Sequence, residues 1–188
     1  MNWKEALQRL KDGNERFVGT KPSTPAQDQT TIKGLANGQA PYAIILSCAD
    51  SRVAPELAFD TGLGEVFVIR VAGNVANTSS IASIEYAVAH LGTKLIVVMG
   101  HQSCGAVGAA IQGGDAGPNL NKLVSYIQPA VEKLGKDAPV GDIVKENANI
   151  AAGTLTAKSD IIANAVASDG VKIVTGYYHL DTGSVDFE

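Results

Sequence analysis

Short uninterrupted apolar runs alternate along the chain with stretches whose apolar residues recur every three or four positions. Tyr42-Ala43-Ile44-Ile45-Leu46, Val66-Phe67-Val68-Ile69, Leu95-Ile96-Val97-Val98-Met99 and Val171-Lys172-Ile173-Val174 are the four runs. Runs of this length predict strands covered on both faces. Between the second and third, Ile81, Ile84, Val88 and Leu91 fall on one helical face, and Gly92 stands where a helix would stop. Helical patterning also covers 120–134, 142–152 and 158–168, the last ended by Gly170. Near the start, Trp3, Ala6, Leu7 and Leu10 share a helix face over 2–12, with Asn2 and Glu5 spaced as a capping box. Gly13 and Asn14 are expected to interrupt that helix. The polar stretch 19–41 holds Pro22, Pro25 and Pro41 and reads as a surface connection with one short helix over 30–36.

Strands alternating with helices predict right-handed βαβ units, hence an α/β fold with a central, mainly parallel sheet flanked by helices. No internal repeat and no second pattern is found. Residues 1–188 therefore read as a single domain, with 1–41 forming an N-terminal helical arm and surface connection.

Composition narrows the function. A chain of 188 residues, 45% hydrophobic and 18% charged, is too apolar for disorder. No apolar run approaches the ~20 residues needed to span a bilayer. Fifteen Lys and Arg against nineteen Asp and Glu give a net charge of −4, with no basic run or basic amphipathic helix. Nucleic acid and membrane surfaces are thereby excluded as expected partners, leaving a small molecule. The opening Met1-Asn2-Trp3-Lys4-Glu5 lacks the basic-then-apolar signature of a secretory signal, so a cytoplasmic location is expected, or a periplasmic one if a signal peptide has been removed.

The chemistry gathers at two strand ends. The first run leads into Ser47-Cys48-Ala49-Asp50-Ser51-Arg52, and the third into Gly100-His101-Gln102-Ser103-Cys104-Gly105. Ligands of parallel α/β sheets bind beyond the carboxyl ends of the strands, so these ends, if adjacent, bring Cys48, His101 and Cys104 to one edge. Cys104, beside a helix N-terminus, is expected to have its thiolate favoured by the helix dipole. Two thiolates and an imidazole are three ligands, which for zinc leave one position for water, as in a catalytic site. There is no further Cys; His90 or His179 could serve as a fourth ligand, but each reads better as a surface or packing residue. A disulfide between the two cysteines is possible on count alone. The glycines match neither a dinucleotide fingerprint nor a phosphate-binding loop. Asp50 held by Arg52 could orient a zinc hydroxide, or, released, occupy the fourth position itself.

With these residues in view, the sequence resembles a β-class carbonic anhydrase. The resemblance runs from the N-terminal helix through Cys48-Ala49-Asp50-Ser51-Arg52-Val53, Gly64-Glu65-Val66-Phe67-Val68-Ile69-Arg70, Glu85-Tyr86-Ala87-Val88 and Gly100-His101-Gln102-Ser103-Cys104-Gly105 to a terminal strand pair at Tyr177-Tyr178-His179-Leu180-Asp181-Thr182-Gly183. It implies one Zn²⁺ per chain on Cys48, His101 and Cys104, and an Asp50–Arg52 catalytic dyad. The implied reaction is the reversible hydration of CO₂ to bicarbonate and a proton by zinc hydroxide. It also implies four parallel strands plus an edge strand, and a homodimer or a pair of dimers with active sites near the subunit interface. Phe67 and Val71 are candidates for an apolar substrate wall, or are core residues. Two departures stand out. Gly62 occupies the place of a substrate-donating Gln in plant-type members, so a main-chain N–H near Gly105 or a partner-subunit side chain is expected to orient the substrate. Ile45 replaces the Trp of bicarbonate-inhibited members, although Arg70 and a C-terminal Tyr are present, so weak or no such inhibition is expected. Two alternatives share these residues: a hydrolase of COS or CS₂ using the same zinc hydroxide, and a non-catalytic, zinc-stabilised bicarbonate sensor.

Overall fold

The four apolar runs become four adjacent parallel strands: β1 (Ala43–Ser47), β2 (Val66–Arg70), β3 (Leu95–His101) and β4 (Lys172–Tyr178). A fifth strand, β5 (Val185–Phe187), joins β4 antiparallel, giving the order β2-β1-β3-β4-β5. The expected edge strand is therefore present, but the segment 177–183 supplies only the end of β4 and the turn into β5. The computed structural model describes residues 1–23 and 27–188, so Pro25 of the connection lies outside the described residues.

Successive residues of β1 serve opposite layers. Ala43 and Ile45 pack with Ala6 and Leu10 of α1 (Trp3–Val18), while Ile44 and Leu46 pack with Ile84 and Val88 of α4 (Thr78–Leu91). Behind α4 the second layer is completed by α8 (Val140–Lys158) and α9 (Asp160–Ser168). Both faces are covered, so β1 and β3 are buried along their whole length. Each fully buried Leu or Ile contributes about 1.5–3 kcal/mol in transfer terms, and this burial holds the strand ends in place.

The N-terminal helix differs from expectation. Asn2 and Glu5 do form the capping box, but the helix passes through Gly13 and Asn14 and ends at Val18. Gly13 is there for close approach: a Cβ would lie 2.0 Å from the Phe59 carbonyl oxygen. Asn14 is buried, and its amide donates to the Ala58 and Gly183 carbonyls. Both residues pin α1 to the domain, which outweighs their poor helix propensity.

The connection carries α2 (Gln29–Leu35), close to the expected position. The single helical stretch read over 120–134 is two helices, α6 (Pro118–Val124) and α7 (Gln128–Leu134). Pro129, in the first turn of α7, has no N–H to bond back to the preceding turn, so one continuous helical ladder is not available. The short helix α3 (Pro55–Ala58) lacked an expected counterpart, while α5 (Gly105–Gln112) is the helix expected to start beside Cys104. α4 ends as expected at Gly92, in left-handed conformation. Among the described residues, no helix is long and apolar enough to cross a membrane.

Candidate metal centre

β1 and β3 are neighbours, with Ser47 opposite Met99. Cys48 therefore leaves the sheet beside the last residues of β3, which ends in His101. A tight turn through Ser103 (φ 55°) delivers Cys104 as the N-cap of α5. His101 and Cys104 are thus placed by strand, turn and helix rather than by one helical turn. The ligand atoms of Cys48, His101 and Cys104 all lie within 4.8 Å of one another, and all three residues are buried.

The imidazole is oriented for a ligand. Nδ1 of His101 lies 2.9 Å from the Gln102 carbonyl, which can only accept, so in the neutral ring the proton sits on Nδ1. Nε2 then keeps its lone pair, and it is fully buried with no hydrogen-bond partner among the described residues. A backbone carbonyl fixing the tautomer of a metal-binding His is a common arrangement. The turn after β3 is itself held by the end of β4, through Gln102 N–H to the Tyr178 carbonyl (2.9 Å) and Leu180 N–H to Gln102 Oε1 (2.8 Å).

The two sulfurs titrate as a coupled pair. A hydrogen bond from Cys104 pulls the Cys48 thiol well below its ordinary range, while the same contact, with burial, pushes Cys104 up. The N–H groups of Ala106 and Val107 at the start of α5 do favour a Cys104 thiolate, as expected, but the Cys48 charge and burial outweigh them. A pair in which one sulfur is readily ionised suits a soft divalent cation, which binds thiolate and displaces the remaining proton on binding. Two cysteine sulfurs and an unprotonated imidazole nitrogen are a fitting donor set for Zn²⁺.

Asp50 stands at the mouth of this group. Arg52 grips it with two parallel bonds, Nε to Oδ1 (2.9 Å) and Nη2 to Oδ2 (2.8 Å), and the Arg52 N–H adds a third at 3.0 Å. These bonds hold the carboxyl well below the usual carboxylate range. Its Oδ2 is 3.9 Å from Nε2 of His101, too far for a direct hydrogen bond.

Several contributors escaped the sequence reading. Arg70, beside Ser47 in the sheet, donates to the carbonyls of Cys48 (3.0 Å) and Asp50 (2.6 Å), pinning the loop that carries both. Gly73 donates its N–H to Cys48 Sγ at 3.3 Å. Of the proposed wall, Val71 packs against the cluster containing both cysteines, whereas Phe67 packs in the α4 layer and meets Tyr86 with ring centres 6.4 Å apart. Gly105 is exposed at the first position of α5. Gly62 lies at the opposite end of the sheet, donating to Glu65 at 2.6 Å. His90 stacks on Tyr86, and His179 bonds Asp186 at 2.8 Å; neither joins the cluster.

Comparison with known proteins agrees with this geometry. A family described as carbonic anhydrase matches residues 43–185. Carbonic anhydrase 2 of Mycobacterium tuberculosis is 42% identical over 184 residues, covering 95% of this chain and 89% of its own. A carbonic anhydrase of Mycolicibacterium smegmatis is 40% identical over 188 residues, covering 96% and 91%. Among solved structures, one of the tetrameric β-carbonic anhydrases from Sordaria macrospora superimposes with a TM-score of 0.78 at 26% identity, over 97% of this chain and 96% of that one. Sheet order, strand-end cysteines and sequence kinship lead to one assignment: this chain belongs to the β-carbonic anhydrase family.

Proposed function

We propose that the protein catalyses the reversible hydration of CO₂ to bicarbonate and a proton, with one Zn²⁺ held by Cys48, His101 and Cys104. The observation that carries this reading is the buried, unpartnered Nε2 of His101 within 4.8 Å of two sulfurs and next to an Arg-held carboxylate. A structural zinc site needs neither Asp50 nor Arg52 beside it, which favours a catalyst over a sensor. When bound, the ion supplies a Lewis acid that makes a nucleophile of water near neutral pH.

The protein's own residues supply the rest. Asp50, kept ionised by Arg52, is an acceptor that orients the attacking oxygen and fixes where its hydrogen points. Arg52 spends its fork on Asp50, which keeps the carboxylate away from the metal donors. Arg70 fixes the backbone between Cys48 and Asp50, so ligand and acceptor move as one unit. Val71, just after β2, offers apolar surface beside the cysteines for an uncharged linear substrate, while Phe67 lies earlier, within β2. The exposed Gly105, first in α5, is the proposed main-chain donor to a substrate oxygen.

A dimer is proposed on two grounds. Among the described residues β2 is a sheet edge whose apolar residues are only partly covered, and the similar Sordaria protein is tetrameric. Metal analysis and stopped-flow CO₂ hydration on one preparation test the function. Stoichiometric zinc with rapid CO₂ turnover, and slower COS turnover, is expected. Zinc without CO₂ turnover would overturn the catalytic reading.

A further inference from the structure

We propose that Asn147 of α8 is a positioning residue for the metal centre, acting through Gly73 on the sulfur of Cys48. The proposal rests on the metal reading above. Gly73 lies in a short 3₁₀ turn, Ala72–Asn74, that follows β2. Two successive residues of that turn are left-handed: Gly73 at φ 68° and Asn74 at φ 45°. Asn74 is buried, and neither its side-chain nitrogen nor its oxygen has a hydrogen-bond partner among the described residues. A non-glycine in this conformation with its amide unsatisfied does not hold itself there; the surrounding structure must.

Two things fix the turn from outside. One is steric: a Cβ on Gly73 would lie 2.6 Å from Ile127 Cδ1 and 3.2 Å from Ala106 Cβ, so the backbone fits closely against α5 and the segment before α7. The other is Asn147, only 2% exposed, whose Nδ2 donates to the Gly73 carbonyl at 2.8 Å. Carbonyl and N–H of Gly73 are thereby both engaged, one by α8 and the other by Cys48 Sγ. The Asn147 bond fixes the peptide plane after Gly73, and with the Gly73 torsions confined by that packing it also holds the preceding plane, whose N–H points at the sulfur. An N–H directed at a metal thiolate withdraws electron density from it, making the sulfur a weaker donor and leaving the ion more electrophilic. In a centre with two thiolates this matters, because each thiolate otherwise quenches the ion's acidity. No signal in the sequence pointed to Asn147, which is 99 positions from Cys48 and lies within a helix.

The test uses the full chain with Co²⁺ in place of zinc, comparing wild type with Asn147→Asp and Asn147→Leu. Asp keeps the shape but accepts where Asn donates; Leu keeps the volume without any polar group. Affinity for the ion, measured by chelator competition, is expected to fall by about 10–100-fold in both variants, because losing the fixed sulfur position and the thiolate's hydrogen bond outweighs the gain in donor strength. The sulfur-to-cobalt charge-transfer band is expected to shift as Cys48 becomes a stronger donor. Variants that melt earlier yet keep the wild-type band and affinity would reduce Asn147 to a packing residue and overturn the proposal. Wild-type protein that takes up no ion would sink the metal reading and this inference with it. A second arm needs no variant: in wild-type protein loaded with ¹¹³Cd²⁺, scalar coupling is expected between the ion and the Gly73 amide proton, and across the Asn147–Gly73 hydrogen bond. Absence of either coupling in a loaded protein would refute the relay.

Discussion

At the amino ends of the parallel strands, charged groups meet in pairs. Arg9 is bonded to Glu65 and lies over the ring of Tyr42, and Arg16 donates to Asp60 at 2.6 Å, with the Ser23 N–H on the same carboxylate. At the carboxyl ends of the same strands Asp50 and Arg52 also pair, but other polar groups converge there without partners. The buried side-chain atoms without a hydrogen-bond partner among the described residues are Ser47 Oγ, both polar atoms of Asn74, and His101 Nε2, and all of them belong to this end. Each unsatisfied buried group costs about 1–3 kcal/mol. Cavities do not make the distinction. Two of about 440 and 280 Å³ lie at the amino end, lined by Arg9, Tyr42 and Glu65, and touch none of the metal donors. Satisfied charge marks the end that holds the fold, and unsatisfied convergence marks the end that does chemistry.

The largest effect expected from breaking this contrast is at the sulfurs. Cys104→Ser removes one of three ligands, so zinc content should fall to background and CO₂ hydration with it, read by metal analysis and stopped-flow on the same sample. Retained stoichiometric zinc would end the three-donor account. Asp50→Asn comes next. It keeps size and removes charge, so zinc should stay while hydration falls by roughly 10²–10⁴, the usual worth of a positioned proton-transfer or acceptor group. Unchanged turnover would strip Asp50 of its role.

This end of the sheet was more legible in the sequence than its supports. Cys48, Asp50, Arg52, His101 and Cys104 sit directly at the ends of apolar runs, and a parallel sheet delivers such positions to one edge without further detail. The parallel order itself followed from alternating strands and helices. What stayed hidden acts through backbone or across long sequence separation. Gly13 read as a helix stop because its real purpose, contact with the Phe59 carbonyl, involves a residue 46 positions away. Arg70 was noticed only for a regulatory role, whereas its donors are spent on two carbonyls of the Cys48 loop. The split between α6 and α7 was missed because apolar periodicity continues across Pro129 even though helical hydrogen bonding does not.

The amino end should respond in stability rather than in chemistry. The Asp60 side chain is 2% exposed and bonded to Arg16 and to the Ser23 N–H, and these contacts overcome burial to lower its pKa. A depressed folded pKa adds stability above the unfolded value of about 3.9 and loses it as pH falls through the folded one. Asp60→Asn should therefore cost about 1–3 kcal/mol at pH 7, the worth of charged hydrogen bonds. The difference from wild type should shrink as the pH is taken below about 4. Urea melts at both pH values measure it, and a gap that widens in acid would contradict the assignment. Zinc content and CO₂ turnover of the folded variant should match wild type.

The smallest effect belongs to the neighbouring pair. Arg9 and Glu65 have side chains 46% and 31% exposed, so water and salt screen their attraction, and such pairs contribute about 0–1 kcal/mol. Glu65→Gln removes the charge yet leaves an oxygen to accept the Gly62 N–H, and Arg9 keeps its place over Tyr42, with the guanidinium carbon 4.4 Å from the ring centre. The expected loss is under about 1 kcal/mol in urea and falls further in high salt, where wild type loses the same term. Turnover should not move at all. A large drop in CO₂ hydration in Glu65→Gln, with zinc retained, would mean that the amino end feels the metal through the length of β2 or through a second subunit, and the division of labour between the two ends would have to be redrawn.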